Sequence, residues 1–208
     1  MGRPSVKSER QMISIKDSLK RLKFHFELTK SGTIARRYFV IGAFDGALTI
    51  LGVILGAYVA EASLHPELAE RLIIGAGVAG AVALAVSSAV GAYEAERVEH
   101  LLSHKNLEKA MLCTVEGTRK EAMGVSIFVS ALAHGVAPLV AAFVPLIPFF
   151  LMPLDEAVVT GTAITLAFLF VLGAYLGSLI KEMIVYTGLR FVIAGLATAI
   201  ALILIGGH

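Results

Sequence analysis

Residues 38–60 read YFVIGAFDGALTILGVILGAYVA, an apolar run of 23 positions in which Asp45 is the only charged side chain. About 20 apolar residues suffice for a helix to cross the hydrocarbon core of a bilayer. Four further stretches reach that length, at about 72–93, 124–152, 157–180 and 188–206. Hydrophobic residues make up 57% of the chain, so too little polar sequence remains to enclose five such stretches in a soluble core. The sequence predicts an all-α, polytopic membrane protein with five transmembrane helices.

Lys and Arg are distributed unevenly between the connections. Ten lie in residues 1–37, five in 94–123 and two in 181–190, whereas the opposite side carries Arg71 alone. The positive-inside rule therefore places the N-terminus and the 94–123 segment in the cytoplasm. With five spans, the C-terminus lies outside. No cleavable signal peptide is visible, because the first apolar run starts late and has full spanning length.

The composition divides the chain into four parts. We expect a cytoplasmic N-terminal segment, the first two transmembrane helices, a helical and acidic cytoplasmic segment, and the last three transmembrane helices, at 1–33, 34–93, 94–123 and 124–208. The first part contains a basic amphipathic helix over 10–28, which either lies on the anionic membrane surface or packs on the protein's own cytoplasmic part.

Two of these parts invite a more detailed prediction. In the cytoplasmic segment we expect a helix that continues from the second span, a turn near 103–106, and a second helix that stops at Gly117. The third span carries Pro138, Pro145 and Pro148, which predicts a kinked or partly unwound helix.

Asp45 is the first candidate functional residue. A carboxylate at the centre of a spanning helix costs about 2.5–3.5 kcal/mol on insertion scales, and such groups usually bind or relay something. Asp45 could bind a divalent cation, and carry a proton when no cation is bound. The alternative is a structural carboxylate that is hydrogen-bonded to a neighbouring helix. Gly42 and Gly46 flank it, and small residues four apart allow another helix to approach closely.

Carboxylates also follow the second span, at Glu94, Glu96, Glu99, Glu108 and Glu116. Glu96 and Glu99 form an ExxE pair, which is expected to share one helical face, and carboxylate oxygens suit hard divalent ions. The alternative is a solvated helix with salt bridges, because five basic residues are interspersed.

Three histidines add further possibilities. His100 and His104 could ligate a metal, although their spacing does not require it. His134, inside the third span, either relays protons or makes a hydrogen bond between helices.

Other functional classes find no support in the sequence. There is no P-loop, no GxSxG and no zinc-type Cys/His spacing, so we expect neither an enzyme nor a tightly bound cofactor. The basic stretches lie beside spans, which indicates contact with membrane lipid rather than with nucleic acid.

The stretch RRYFVIGAFDGALTILGVILGA, residues 36–57, resembles the first span of the vacuolar iron transporter family. The five spans, the inward N-terminus and the acidic segment after the second span fit as well, and the resemblance covers most of residues 20–208. It implies a homodimer in a membrane, with a pathway between the first spans of the two subunits. It also implies export of Fe²⁺ or Mn²⁺ from the cytosol, with other divalent metals possible, in exchange for protons.

The resemblance also assigns roles to residues. Asp45 matches the family's intramembrane metal-binding carboxylate, Glu96 and Glu99 match the first ExxE of its cytoplasmic region, and Glu108 and Glu116 supply later carboxylates. In residues 87–93, SSAVGAY, Ser88 and Ala92 stand where the family often has Met and Glu. These departures are typical of a divergent prokaryotic member, located in the cell membrane.

The sequence thus predicts a dimeric transporter of divalent metal. Glu96 and Glu99 capture the ion at the inner face, paired Asp45 carboxylates receive it, and protons from the other side displace it. The alternative is a non-transporting membrane scaffold or anchor with a regulatory cytoplasmic segment.

Overall fold

The computed structural model describes residues 31–61, 65–111 and 118–206. These residues form five α-helices and a 3₁₀ turn at Ile147–Phe150, with the helices α1 (Ser31–Glu61), α2 (Pro66–Met111), α3 (Thr118–Leu146), α4 (Leu154–Ile180) and α5 (Ile184–Gly206). All five helices are long and apolar enough to cross a membrane. The predicted class, an all-α multi-pass membrane protein, is therefore confirmed. The amphipathic helix predicted over 10–28 lies outside the described residues.

Helix α1 is the centre of the bundle and contacts the other four helices, most extensively α3. Gly42 faces His134, and Gly46, one turn later, faces Pro138. Successive turns of α1 thus meet successive turns of α3 in the same order, and the two helices run parallel. We call the end of the bundle where α1 begins, with residues 32–41, the N-terminal end.

Helix α2 runs antiparallel to α3. Gly77 contacts Leu146 near the end of α3, whereas Ala89 contacts Gly135, closer to its beginning. Helix α4 pairs mainly with α5, where Gly173 and Gly177 lie against the turn of α5 that contains Thr187 and Gly188. These two glycines therefore allow α4 and α5 to approach closely.

The core is divided along the axis of the bundle. Toward the N-terminal end, small residues of α1 and α3 pack against leucines of α4: Val40, Ala43, Ala47, Ala137, Ala141, Leu169 and Leu172. Toward the other end, larger side chains from α1 to α4 and the 3₁₀ turn meet: Ile50, Ile54, Ile73, Leu146, Phe149 and Val158. Many large apolar side chains outside these clusters are exposed, as expected for helices that face lipid.

Helix α2 has 46 residues, about 69 Å at 1.5 Å per residue, so it projects well beyond a bilayer core. Its continuation past the second span is confirmed, but the turn predicted near 103–106 is wrong, because the helix runs through to Met111. Ser103 and Asn106 favour turns, yet this stretch has no Gly or Pro to interrupt a helix. Pairs four residues apart, such as His104 and Glu108, support the helical conformation.

Helix α3 accommodates two of its prolines. Pro138 and Pro145 lie inside the helix, and the α-helical pattern gives way to the 3₁₀ turn at Ile147, immediately before Pro148. Proline has no N–H to donate, so a helix that contains several of them loses hydrogen bonds near its end. The partly unwound third span is therefore confirmed at its C-terminal end.

Candidate metal-binding site

The exposed side of α1 carries a row of residues spaced four apart. Within the described part of α1 up to residue 49, the exposed positions are Thr33, Arg37, Ile41, Asp45 and Thr49. We call these five residues the α1 stripe. Residues four apart are neighbours on a helix surface, so the stripe is continuous. Four of its five members are polar, although α1 is otherwise an apolar helix.

Asp45 lies on this stripe and faces away from the bundle. Among the described residues, none forms a hydrogen bond or ion pair with it. It lies eight residues after Arg37 and sixteen before Glu61, about 12 and 24 Å along the helix axis. A carboxylate at that depth cannot reach the membrane surface with its short side chain. Asp45 is therefore exposed at a depth where the hydrocarbon core of a bilayer surrounds the helix.

The glycines beside Asp45 contact another helix of the same chain. A Cβ on Gly42 would lie 2.7 Å from the backbone oxygen of His134, and one on Gly46 would lie 2.6 Å from the Cα of Pro138. Both glycines therefore let α3 of the same chain approach α1. The prediction of a close helix neighbour is confirmed, but these two glycines are buried inside the chain and do not form a face for a second subunit.

Glu96 is the best enclosed acidic residue of α2, with a side chain that is 6% exposed. It lies at the N-terminal end of the bundle, between α2 and the start of α1. Its Oε1 is 3.9 Å from Arg37 Nη2, and its Oε2 is 3.6 Å from Nε2 of His100, one turn further along α2. The phenol of Tyr38 also faces this carboxylate. Buried carboxylates normally need such cationic and hydrogen-bonding neighbours.

The remaining predicted carboxylates occupy other environments. Glu99 is exposed, so the ExxE pair spans one buried and one exposed position. Glu94 is also exposed and pairs with Arg97 at 3.1 Å, as the salt-bridged alternative predicts. Glu108 Oε1 lies 3.5 Å from His104 Nδ1. Glu116 lies outside the described residues. Within 31–61, 65–111 and 118–206, no three His, Cys, Asp or Glu side chains come together as a complete metal-binding group.

His134 forms a contact between helices. Its Nδ1 lies 2.8 Å from the backbone oxygen of Tyr38, and the two rings are 5.3 Å apart. A carbonyl oxygen only accepts, so Nδ1 carries the proton and donates it. Of the two roles that the sequence leaves open, this geometry shows the hydrogen bond between α3 and α1.

Sequence reasoning missed two residues of this region. Arg37 counted only toward topology, although its guanidinium connects the α1 stripe with Glu96. Tyr38 is the first residue of the apolar run, yet it contacts both His134 and Glu96. The phrase Arg36-Arg37-Tyr38 before a span was the available signal, because Arg and Tyr are the side chains that extend from a span toward its polar boundary.

The fold and these polar residues define the class of the protein. It is an integral, multi-pass helical membrane protein with acidic residues in the middle of one span and at one end of the bundle. Residues 94–207 match the VIT family of vacuolar iron transporters. The chain is also 32% identical over 177 residues to uncharacterized protein MJ0645 of Methanocaldococcus jannaschii. The aligned region covers 83% of this chain and 88% of that protein.

The chain belongs to the VIT family. Membership implies transport of metal ions across a membrane, since the members of this family are transporters rather than enzymes. The family match begins at residue 94, so it includes Glu96, Glu99, Glu108 and Glu116 but not Asp45.

Proposed function

We propose that this protein exports divalent metal, Fe²⁺ or Mn²⁺, from the cytoplasm of a prokaryotic cell in exchange for protons, as a homodimer. The observation that carries the proposal is the exposure of Asp45 on the α1 stripe. A carboxylate that faces lipid in the middle of a spanning helix is unfavourable by a few kcal/mol. A second copy of the stripe removes Asp45 from lipid and supplies a second carboxylate for the same ion.

The spacing of the stripe supports a contact between the α1 helices of two subunits, which we call the seam. Rows of residues four apart form ridges that interdigitate when two helices cross at an angle near −50°. At that angle two α1 helices would touch near their crossing point and diverge toward both membrane faces. The stripe would thus form a short closed contact around Ile41 and Asp45, with a wider opening at each end.

Oxygen ligands in this seam fit the chemistry of the proposed cargo. Two carboxylates, together with the hydroxyl of Thr49 one turn away, provide oxygen atoms on the same row. Fe²⁺ and Mn²⁺ accept oxygen ligands, and two carboxylates balance the charge of one divalent ion. Protonation of both carboxylates removes that charge, so metal and protons compete for one site. Proton exchange follows directly from this competition.

The N-terminal end of the bundle supplies the route to the seam. Its position beside the basic residues supports assignment to the cytoplasm. Glu96 attracts the ion there, and Glu99, Glu108 and Glu116 contribute further negative charge to the segment that follows the second span. Arg37, which contacts Glu96, lies on the stripe about 12 Å before Asp45, so an ion that leaves Glu96 moves about two helical turns to reach the seam.

Metal uptake into proteoliposomes tests this function. We expect saturable Mn²⁺ uptake into vesicles that contain the protein, and faster uptake when the vesicle interior is acidic. Vesicles loaded with a pH indicator would also report a loss of internal protons that depends on added Mn²⁺. A scaffold or anchor predicts uptake no faster than in empty vesicles and no proton movement, and either result would refute the transporter.

A further inference from the structure

The polar group around Glu96 contains a buried nitrogen with no hydrogen-bond partner among the described residues. Nε2 of His100 is inaccessible to solvent and forms no hydrogen bond with any described residue. Buried polar atoms in native proteins nearly always have a partner. The closest charged atom is Glu96 Oε2 at 3.6 Å, which is too long for a direct hydrogen bond. A small ligand bound between His100 Nε2 and Glu96 Oε2 would give both atoms a partner.

The 3.6 Å separation suits two ligands of one metal ion. Imidazole nitrogen and carboxylate oxygen bind divalent transition metals at about 2.0–2.2 Å. Atoms 3.6 Å apart then subtend an angle of about 120° at the ion, which is an ordinary ligand angle. Both residues are on one rigid helix, four positions apart, so the pair needs no change of backbone to bind.

Other buried oxygens lie at the same level of the bundle. Ser126 and Ser130 of α3 are fully buried, and their hydroxyls have no hydrogen-bond partner among the described residues. The antiparallel contact of Gly135 with Ala89 places Ser130 and Ser126 about one and a half and two and a half turns nearer the N-terminal end, about level with residues 94–98 of α2. A cation held by Glu96 and His100 would thus lie in a region with unused oxygen donors.

We propose that His100 is a metal ligand, and that Glu96 and His100 together form a binding site inside each subunit, separate from the seam at Asp45. The proposal rests on the proposed function, since the ion is its cargo. Arg37 occupies the Glu96 carboxylate when no metal is bound, because its guanidinium lies 3.9 Å away on a side chain that is 66% exposed and able to leave. A nitrogen ligand makes the site selective for Fe²⁺, Mn²⁺, Co²⁺ and Zn²⁺ over Mg²⁺ and Ca²⁺.

The chain contains a matched pair for comparison. Glu61 and His65 have the same order and the same spacing, and their closest atoms are 3.5 Å apart. This pair lies at the opposite end of the bundle and is much more exposed, and no ion pair joins Glu61 to an arginine among the described residues. If any Glu–His pair four residues apart bound metal, this pair would also bind it.

Pulsed electron paramagnetic resonance of Mn²⁺ bound to the full-length protein in nanodiscs tests the proposal. A directly coordinated imidazole gives ¹⁴N modulation of the Mn²⁺ echo, and this signal changes to that of ¹⁵N after labelling of the histidines in the otherwise unaltered protein. We expect His100→Gln to remove the modulation and to weaken Mn²⁺ binding by about tenfold or more, comparable to the loss of a metal-site residue. His65→Gln should leave both unchanged, and Arg37→Gln should tighten binding by up to about fivefold, the scale of one ion pair.

Several results would overturn the assignment. One is that the unaltered protein binds Mn²⁺ without nitrogen modulation. Another is that the modulation disappears in His104→Gln but persists in His100→Gln. The third is that the unaltered protein binds no Mn²⁺. Flux separates this inference from the proposed function. Nitrogen modulation without Mn²⁺ uptake would support the Glu96–His100 site and refute the transport function. Mn²⁺ uptake without nitrogen modulation would support the transport function and refute the site.

Discussion

Arg37 Nη2 of α1 lies 3.9 Å from Glu96 Oε1 of α2. Arg37 belongs to the exposed stripe that also carries Asp45, while the Glu96 side chain is almost fully buried. This contact connects the outer face of the central helix with the acidic residue inside the N-terminal end. Movement of Arg37 would change the charge at both places, and under the proposed function this would couple binding of an ion at Glu96 to the start of the stripe.

Burial separates the two glutamates of the ExxE pair, and calorimetry can measure the difference. Glu96→Gln should lower Mn²⁺ affinity at least tenfold, because the amide removes the charge that Arg37 and His100 face. Glu99→Gln should lower it only a few-fold, because the exposed Glu99 carboxylate acts through water and salt. Equal losses in the two variants would contradict the distinction between a buried and an exposed ligand.

The close contact between α1 and α3 predicts that Gly46 is intolerant of any side chain. Its added Cβ would meet the backbone of Pro138 at 2.6 Å, and backbone cannot move aside as a flexible side chain can. We expect Gly46→Ala to destabilise the protein by about 1–3 kcal/mol, the usual cost of overpacking. Thermal unfolding in detergent should show a clearly lower midpoint.

Gly56 is the matched control on the same helix, since no atom lies within 4 Å of its added Cβ. Gly56→Ala should leave the unfolding midpoint unchanged or raise it slightly, because Ala favours a helix over Gly by about 1 kcal/mol. A loss of stability in Gly56→Ala as large as that in Gly46→Ala would mean that the packing of α1 on α3 is not what restricts Gly46.

The proposed seam predicts which positions crosslink between subunits. After replacement of the native cysteine by Cys113→Ser, Ile41→Cys on the stripe should form a disulfide-linked dimer under mild oxidation in membranes. Val86→Cys on α2 should stay monomeric, although Val86 is the more exposed of the two, 60% against 46%. Electrophoresis without reductant distinguishes these outcomes. Efficient crosslinking at Val86 but not at Ile41 would place the dimer contact elsewhere.

The spans and their number were predictable because the requirement of about 20 apolar residues leaves a strong signal in composition. The orientation of Asp45 was not predictable. The polar residues of the α1 stripe lie four apart, but a polar row in an otherwise apolar helix can face a neighbouring helix of the same chain as well as the outside, so the spacing alone does not show which side is outward. Gly42 and Gly46 correctly indicated a close helix neighbour but not which helix, since small residues permit a close helix of either subunit.

The polar contacts of the candidate site were also beyond sequence spacing. Arg37 and Glu96 are 59 positions apart, and only the packing of α1 on α2 brings them together. The turn expected near 103–106 failed because Ser and Asn favour turns only weakly when no Gly or Pro accompanies them. The Glu96–His100 pair, in contrast, follows from a spacing of four on a continuous helix, and that spacing was visible in the sequence.

Mn²⁺ uptake by Asp45→Asn in proteoliposomes with an acidic interior tests the role of the stripe most directly. The amide keeps the size of the side chain but neither carries a charge nor releases a proton, so uptake should fall to about the rate of empty vesicles. Asp155→Asn is the control, because it makes the same chemical change at an exposed carboxylate whose Oδ1 accepts a 2.9 Å hydrogen bond from Tyr58 on α1. It should retain uptake. If Asp45→Asn transports Mn²⁺ as fast as the unaltered protein, Asp45 is not the ion site.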